Sequence, residues 1–294
     1  MYKILFDCDN TMGLEGCDVD DGLTLLYLLG REDVELLGVT TTFGNSTIDK
    51  VHTNTINMFN ELKLSHIPLY KGCPSKVNRE SEACEFLVQM VNKYPNEITI
   101  LATGSLTNLY GAYNLDNSFF TKVKDIVLMG GITEPLIING YNLNELNFAC
   151  DEEATHKVLS SGAKVHILTG HICLQALFTK NDLNKIVENH TIPIFNYIKK
   201  KTLPWFDHVM GKFAMDGFHN WDIVAAMYIT NPELFKDNYA NLVSIPEDLK
   251  KGYLKIDISD KYGYVVNMPT EITDINKFNE IIIETWKNCD KLFQ

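Results

Sequence analysis

The chain has 294 residues, of which 38 are acidic and 26 basic, and its net charge is −12 at neutral pH. This balance argues against nucleic acid as a partner, because binding to a phosphate backbone depends on clustered Lys and Arg. No apolar run approaches the ~20 residues of a membrane span, so we expect no membrane partner. The seven cysteines, which include no Cys-x-x-Cys pair, and a start without a signal peptide predict reduced thiols and a cytoplasmic location.

Apolar runs alternate with amphipathic segments through the first 170 residues. The runs predicted as strands are 3–6, 34–40, 67–72, 97–104, 123–131 and 163–170. The segments predicted as helices are 20–29, 47–62, 80–94, 106–115 and 151–161. Strands that are apolar throughout and alternate with helices are typical of an α/β fold. We therefore predict an open, mostly parallel sheet flanked by helices on both faces.

The pattern becomes mostly helical after residue 171. The predicted helices are 181–188, 192–201, 222–228 and 275–286, with a late hairpin of 254–258 and 264–266. We expect this half to supply a helical lid region and a side wall, and the whole of 1–294 to form a single domain.

Five aspartates follow the first strand within a short stretch. They are Asp7, Asp9, Asp18, Asp20 and Asp21. Like charges at such density raise one another's pKa, and a bound hard cation offsets this repulsion. Carboxylate oxygens are the ligands that calcium and magnesium prefer. One or two of these side chains could instead cap the next helix, but five are too many for capping alone.

Polar residues also follow the later strands. Asp9, Asn45 and Thr103 each come at the carboxyl end of a predicted strand, as does the segment after Met129. In open parallel sheets the ligand binds outside that edge. The sequence therefore predicts one crevice where these strand ends meet.

The segment ILFDCDNT also fits the signature of the haloacid-dehalogenase phosphatases, in which Asp7 would be the nucleophile and Asp9 the acid/base. That family needs a late metal-binding motif that usually opens with Gly-Asp. No glycine of this chain precedes an aspartate, and this alternative is therefore disfavoured.

A series of motifs, in order along the whole chain, resembles the inosine-uridine-preferring nucleoside hydrolase family. The matching segments are the acids Asp9 and Asp20–Asp21, VTTTFGN with Asn45, LATGSLTN with Thr103, IVLMGG, NELNFACDEEA with Glu145 and Asn147, WDIVAAMYITNPELF with Asp222, and the late KGYLKIDISDKYGYVVNMPTEIT. Asn139 precedes Glu145 by six residues, as a sugar-contacting Asn does in the family. The resemblance implies a Rossmann-like nucleoside hydrolase fold.

The resemblance implies one Ca²⁺ held by the side chains of Asp9, Asp21 and Asp222 and by the carbonyl of Thr103. Asp9 resembles the general base that activates a water molecule, and Asn45 resembles the Asn near that water.

The family's sugar contacts fall on other residues. Asp20 and Asn147 would hold the ribose hydroxyls, whereas Asn139 and Glu145 would hold the 5′-hydroxyl end. Asn139 could also be an ordinary turn residue.

Ten residues separate Asp9 from Asp20, a much longer segment than in the family pattern. Asp7 and Asp18 therefore remain alternatives to Asp9 as the first metal-binding acid.

Trp221 occupies the position at which the inosine-uridine enzymes have the His that is proposed to protonate the leaving base. It resembles the purine-specific branch, in which aromatic stacking on the base replaces that acid. His219 is an alternative acid, and Trp205, Phe206 and His208 are weaker candidates for the wall around the base.

The resemblance thus implies a calcium-dependent N-ribosyl hydrolase that acts on nucleosides, leans toward purines and serves base salvage. A hydrolase for pyrimidine or modified nucleosides is the first alternative, and a non-catalytic nucleoside or ribose sensor is the second. The family commonly forms homodimers or homotetramers, which is the assembly we expect.

Overall fold

The computed structural model describes residues 1–189, 191–259 and 262–293. Its strands are β1 (Tyr2–Cys8), β2 (Val34–Thr41), β3 (Leu69–Lys71), β4 (Ile98–Ala102), β5 (Asp125–Met129), β6 (Leu136–Ile138), β7 (Tyr141–Leu143), β8 (Val165–Leu168), β9 (Leu177–Thr179), β10 (Gly217–His219), β11 (Phe235–Lys236), β12 (Tyr239–Leu242), β13 (Tyr264–Asn267) and β14 (Glu271–Ile272).

The α-helices alternate with the strands in the first half of the chain and make up most of the second half. They are α1 (Asp20–Gly30), α2 (Ile48–Glu61), α3 (Glu82–Lys93), α4 (Thr107–Leu115), α5 (Phe119–Lys122), α6 (Glu152–Leu159), α7 (Gly170–Cys173), α8 (Lys180–Glu188), α9 (Pro193–Phe213), α10 (Trp221–Thr230), α11 (Pro246–Leu249) and α12 (Ile275–Asn288). Within the described ranges no helix is both long enough and apolar enough to span a membrane.

The main sheet has eight strands in the order β12-β13-β8-β5-β4-β1-β2-β3. Its neighbours pair in parallel, except that β12 runs antiparallel to β13 at one edge. The predicted fold class is therefore confirmed. The strand order reverses direction at β1, since β2 and β3 lie on one side and β4, β5 and β8 on the other. A ligand crevice forms outside the carboxyl ends of the strands at such a reversal.

Both faces of the sheet are covered, and this explains why its strands are apolar throughout. In β1, Ile4 and Phe6 belong to one buried cluster, together with α1, α10 and α12. Leu5, between them, belongs to the cluster on the opposite face, with α3 and α4. Successive side chains of a strand point to opposite faces, so a strand covered on both sides needs an apolar residue at every position.

The predicted late hairpin is wrong. Residues 264–266 do form a strand, β13, but it pairs with β12 and, through Asn267, with β8. Residues 254–258 instead run along the outer edge of β12, where Ile256 bridges Leu242. Short apolar segments indicate extended structure but do not identify the strand with which each one pairs.

Other elements also differ from the prediction. Helix α9 continues past residue 201 to Phe213, through an internal proline, Pro204. The sequence pattern also did not predict the hairpin β6–β7, whose turn is Asn139-Gly140 with φ values of 47° and 85°. Asn-Gly is the preferred pair for a turn that needs two positive φ angles.

Candidate active site and metal centre

Buried carboxylates gather where β1 ends and helices α1 and α10 begin. Oxygen atoms of Asp20, Asp21 and Asp222 lie within 4.8 Å of one another. Asp9 directly follows β1, and its charge is close enough to raise the pKa of the other three. Their exposed fractions are 0% for Asp9, 6% for Asp20 and 2% for both Asp21 and Asp222. The chain therefore brings four predicted site acids to one buried position.

The loop after β2 fixes the carboxylate of Asp9. The backbone N–H of Asn45 donates to one oxygen, and its side-chain amide donates to the other at 3.1 Å. Gly44 and Gly104 lie against the same carboxylate, and a Cβ atom at Gly44 would overlap with its Oδ2. Two small residues and two donors thus hold Asp9 in one orientation.

The cluster carries more negative charge than its surroundings offset. Burial, reinforced by the neighbouring carboxylates, raises the pKa of Asp20, Asp21 and Asp222 well above the ordinary value. Burial also raises the pKa of Asp9 to about 6. In the part of the chain that the structure describes, no Lys or Arg pairs with any of the four.

The donor set fits a hard divalent cation. Oδ2 of Asp21 is buried and has no hydrogen-bond partner among the described residues. Carboxylate oxygens are the preferred ligands of calcium and magnesium, and a cation would remove the repulsion that raises these pKa values. The hydroxyl of Thr103 donates to the other oxygen of Asp21 at 2.7 Å. Thr103 thus supports the cluster through its side chain, while the metal-binding role of its carbonyl stays a prediction.

The two alternative acids occupy different positions. Oδ1 of Asp7 accepts from Thr40 at 2.5 Å and from Asn108 at 2.7 Å, which ties this oxygen to β2 and α4, whereas Oδ2 is buried without a partner among the described residues. Asp18 lies in the inserted segment and lines the crevice described next. Burial raises the pKa of both Asp7 and Asp18 to about 7. Because its carboxylate is held elsewhere, Asp7 is the weaker substitute for Asp9.

A crevice of about 710 Å³ lies above the cluster. The predicted residues on its lining are Asp20, Asn45, Thr103, Glu145, Asn147, Trp221 and Asp222. Asp9 and Asp21 are buried and are not part of the lining. Most of the site residues that lie far apart in the sequence therefore meet in one crevice.

The segment after β7 carries two polar residues of the crevice lining, Glu145 and Asn147. The carboxylate of Glu145 accepts from the backbone N–H groups of Gly131, Phe148 and Ala149 at 2.9–3.1 Å. The amide of Asn147 donates to the carbonyl of Met129 at 3.1 Å. Glu145 therefore has a structural role as well as a place on the lining.

The structure does not bring Asn139 to the crevice. It is an exposed turn residue of the β6–β7 hairpin with φ 47°, and its amide donates to the carbonyls of Phe213 and Ala214 at the end of α9. The turn alternative fits this position, and the expected sugar contact does not. Asn144, which is on the crevice lining, was not predicted. Its place directly before Glu145, in a strongly polar stretch, was the available signal.

Apolar residues that the sequence did not single out form part of the wall. Ile132, Leu136 and Leu143 line the crevice. They come from the segment after β5 and from the β6–β7 hairpin. The unpredicted hairpin is thus what closes this side of the crevice.

The aromatic candidates divide into three groups. Trp221 lines the crevice and its ring centroid is 5.2 Å from that of His219. Trp205 and His219 line a neighbouring cavity. Phe206 is only 3% exposed and packs edge-on against Phe218, so it belongs to the core rather than to a wall.

His208 and His219 also differ in position. His208 is exposed and stacks on Trp205 at 5.3 Å, and it is absent from the described lining of both cavities. His219 is 8% exposed, and burial lowers its pKa to about 4. At neutral pH the His219 ring is therefore neutral and is a poor proton donor to a leaving group.

Comparison with known sequences places this chain in a protein family. The sequence model of the inosine-uridine preferring nucleoside hydrolases matches residues 4–280. Uridine nucleosidase 1 of Arabidopsis thaliana is 31% identical over 196 residues, which is 56% of this chain and 57% of that protein. The inosine-uridine preferring nucleoside hydrolase of Crithidia fasciculata is 28% identical over 65% of this chain and 67% of its own. The alignment to the plant protein thus spans little more than half of its length.

A solved structure shares the fold. The purine-preferring ribonucleoside hydrolase from Gardnerella vaginalis superposes with a TM-score of 0.84. The superposition covers 98% of this chain and 99% of that one, at 20% sequence identity. At 20% sequence identity, this similarity shows only that the two proteins share a fold.

Proposed function

The chain belongs to the inosine-uridine preferring nucleoside hydrolase family, and from this premise we propose that it hydrolyses the N-glycosidic bond of ribonucleosides to a free base and ribose. The observation that carries the proposal is the cluster of buried carboxylates beneath a crevice lined by Asp20, Asn45 and Asn147. A nucleoside presents hydroxyl groups, and carboxylate and amide groups are their natural partners.

Calcium is the cation that we propose for the cluster. Asp9, Asp21 and Asp222 would hold it, together with the carbonyl of Thr103. When bound, calcium lowers the pKa of a coordinated water molecule and orients it. The unpartnered oxygen of Asp21 and the absence of a paired Lys or Arg among the described residues support a cation here.

Asp9 is the proposed general base. Burial raises the pKa of its carboxyl above the ordinary value, whereas a bound cation would lower it, so the carboxylate would be ionised and able to take a proton from water. The two donors from Asn45 fix the direction of its lone pairs. Asn45 therefore acts by positioning Asp9, and its place on the lining also lets it contact the attacking water.

The sugar would lie across the crevice. Asp20 and Asn147 would bind the ribose hydroxyls, and Glu145 and Asn144 the 5′-hydroxyl end, since all four line the same space. The three backbone N–H groups that Glu145 accepts from keep its carboxylate fixed. Fixed sugar contacts favour the transition state because no reorganisation is needed during the reaction.

Trp221 would stack on the base. An aromatic wall favours the larger π surface of a purine, and a purine-preferring hydrolase has the same fold. Uridine nucleosidase 1 of Arabidopsis thaliana is 31% identical to this chain over the aligned residues, compared with 20% for the purine-preferring hydrolase. Uridine hydrolysis is therefore the second candidate. We propose a preference for purine nucleosides because of Trp221. The homodimer or homotetramer and the cytoplasmic location stay predictions.

The test is ribose release from inosine, adenosine, guanosine, uridine and cytidine, with and without a calcium chelator. Chelator-sensitive release that favours purines is the expected result. Release that favours pyrimidines would keep the hydrolase and remove the stacking argument. Nucleoside binding without release from any of the five would support a sensor instead.

Asp9→Asn tests the base, and because Asp9 is also a proposed calcium ligand, the variant is assayed at saturating calcium. The substitution keeps the shape of the side chain and removes its basicity, so kcat should fall by about 100-fold or more while ribose still binds. Asn139→Gly is the matched control, because Asn139 lies at an exposed turn away from the crevice. Full activity of Asp9→Asn would overturn the assignment of the base.

A further inference from the structure

Two thiols that the proposed reaction does not use lie side by side beneath an exposed loop. Cys73 lies just after β3, and Cys84 lies in the first turn of α3. Their Sγ atoms are 3.4 Å apart, and both residues are fully buried. All seven cysteines of the chain carry free thiols. A disulfide bond is about 2.05 Å long, so the two sulfurs would have to approach by about 1.4 Å to form one.

Neighbouring groups keep the two sulfurs at this short distance. The hydroxyl of Ser81, the N-cap of α3, lies 3.2 Å from Sγ of Cys84 and 3.5 Å from Sγ of Cys73. Gly111 of α4 packs against Sγ of Cys84, and a Cβ at this position would overlap with it. The backbone N–H of Cys73 donates to the side chain of Asn108, also of α4, at 2.8 Å. The start of α3 and helix α4 therefore leave the two sulfurs little freedom to separate.

The same contacts favour one of the two thiols as the nucleophile. The thiolate is the reactive form of cysteine, so the sulfur that ionises more easily reacts first. Hydrogen bonds from the Cys73 thiol and the Ser81 hydroxyl lower the pKa of the Cys84 thiol despite its burial. The pKa of Cys73 is raised by its hydrogen bond to Cys84 and by burial. Cys84 is thus the nucleophile of the pair, and Cys73 is the thiol that reacts second.

The chain between the two cysteines gives access to them. Most residues of 74–80 are exposed, and Val77 is 88% exposed. This segment has no helix or named strand of its own, and two ion pairs join it to the start of α6. An exposed loop with few buried contacts opens locally at a low cost in free energy. A small oxidant can therefore reach sulfurs that are buried while the loop is closed.

We propose that Cys73 and Cys84 form a modification site at which hydrogen peroxide produces an intramolecular disulfide. The pair stays reduced in the reducing compartment that the sequence predicts, and it closes when peroxide is present. This inference goes beyond the proposed function and does not depend on it, because neither thiol is on the described lining of the crevice.

The chemistry of the pair is balanced in two steps. The Cys84 thiolate attacks one oxygen of the peroxide, the O–O bond breaks, and the departing hydroxide takes up the thiol proton and leaves as water. The Cys73 thiol then attacks the sulfur of the Cys84 sulfenic acid, the S–O bond breaks, and a second water molecule leaves. The two sulfurs are oxidised by two electrons in total, and the peroxide is reduced by the same two electrons.

The test is peptide mapping of the folded protein after stepwise exposure to hydrogen peroxide. Trypsin separates the two cysteines into the peptides 72–76 and 80–93. A disulfide therefore appears as one cross-linked species, which dithiothreitol separates. We expect this species to form before any other cysteine is modified. Free thiols at both positions after the other cysteines have reacted would overturn the proposal. Because the assay uses no nucleoside, a failure of the hydrolase proposal leaves its result unaffected.

The variants Cys84→Ser and Cys17→Ser distinguish the pair from general thiol oxidation. Cys17 is the matched control because its thiol is free and only half-buried, so it would react first if accessibility alone decided. In the wild type and in Cys17→Ser, oxidation should raise Tm by roughly 5 °C, since the disulfide closes a short loop. Cys84→Ser should lose both the cross-linked species and this rise. Loss of the cross-linked species in Cys17→Ser would overturn the proposal.

Discussion

Gly44→Ala should inactivate the protein through a single contact. Gly44 lies between β2 and Asn45, and its φ is outside the left-handed region, so an alanine backbone is acceptable there. The added Cβ would overlap with Oδ2 of Asp9. The substitution therefore tests the position of the Asp9 carboxylate and not the conformation of the loop.

The size of the effect follows from the displacement that the overlap requires. The carboxylate must move by about 1.4 Å to reach ordinary van der Waals contact. This movement weakens both hydrogen bonds from Asn45, and a misplacement of about 1 Å in a reacting group costs about 100-fold in rate. Overpacking of a buried position also costs about 1–3 kcal/mol of folding free energy.

The assay is ribose release, with kcat and KM determined separately, together with thermal unfolding. We expect kcat to fall about 100-fold. Gly211→Ala is the control, because a Cβ at Gly211 meets no atom within 4 Å and the residue lies in helix α9. It should keep full activity and gain about 0.5–1 kcal/mol of stability. Near wild-type kcat for Gly44→Ala would refute the view that catalysis depends on this placement of Asp9.

Three further predictions concern the sugar wall, the metal and a distant ion pair. Asn144→Ala should raise KM for nucleosides, whereas Asn139→Gly should leave it unchanged because a turn with positive φ accepts glycine; the reverse pattern would return the sugar contact to Asn139. Chelation of the cation should lower Tm by roughly 5–10 °C, because a ligand at 100 times its Kd contributes about 2.7 kcal/mol, and an unchanged Tm would remove the metal from the proposal. Asp125, beside Lys164 and His166 at the other end of the sheet, has its pKa lowered to about 2 by those partners despite its burial. A carboxyl whose pKa is lower in the folded state than in the unfolded state stabilises the protein at any pH above the unfolded value. Asp125→Asn should therefore lower the free energy of unfolding by about 1 kcal/mol at pH 7 and leave activity unchanged. The difference in stability between the variant and the wild type should disappear as the pH falls through 2, and a constant difference would contradict the ion-pair explanation.

The sequence was most informative where one local feature determined the outcome. The acids could be placed from the sequence because Asp9 directly follows a buried strand, whereas Asp20 and Asp21 are the first residues of the next helix, so each one lies at the end of a regular element. Asn45 and Thr103 were placed at the same edge because all parallel strands present their carboxyl ends there.

The sequence was less informative where long-range pairing decided the structure. It suggested a hairpin of 254–258 with 264–266, whereas β13 pairs with β12 and β8. It also assigned Asn139 to the sugar by its spacing from Glu145, although the β6–β7 turn carries that side chain to the end of α9. Spacing along the chain does not determine direction in space once a turn intervenes.

The sequence by itself determined the fold class, the family and the acids of the candidate metal centre, because hydrophobic period and motif order are local properties of the chain. Only the tertiary structure decided which polar atoms were left without partners and which side chains share a cavity. The sequence indicated Trp205 and His219 only as separate candidates near the base, and the structure shows that these residues of α9 and β10 line one cavity. Their meeting depends on how α9 packs against β10, and packing is a property of the whole chain.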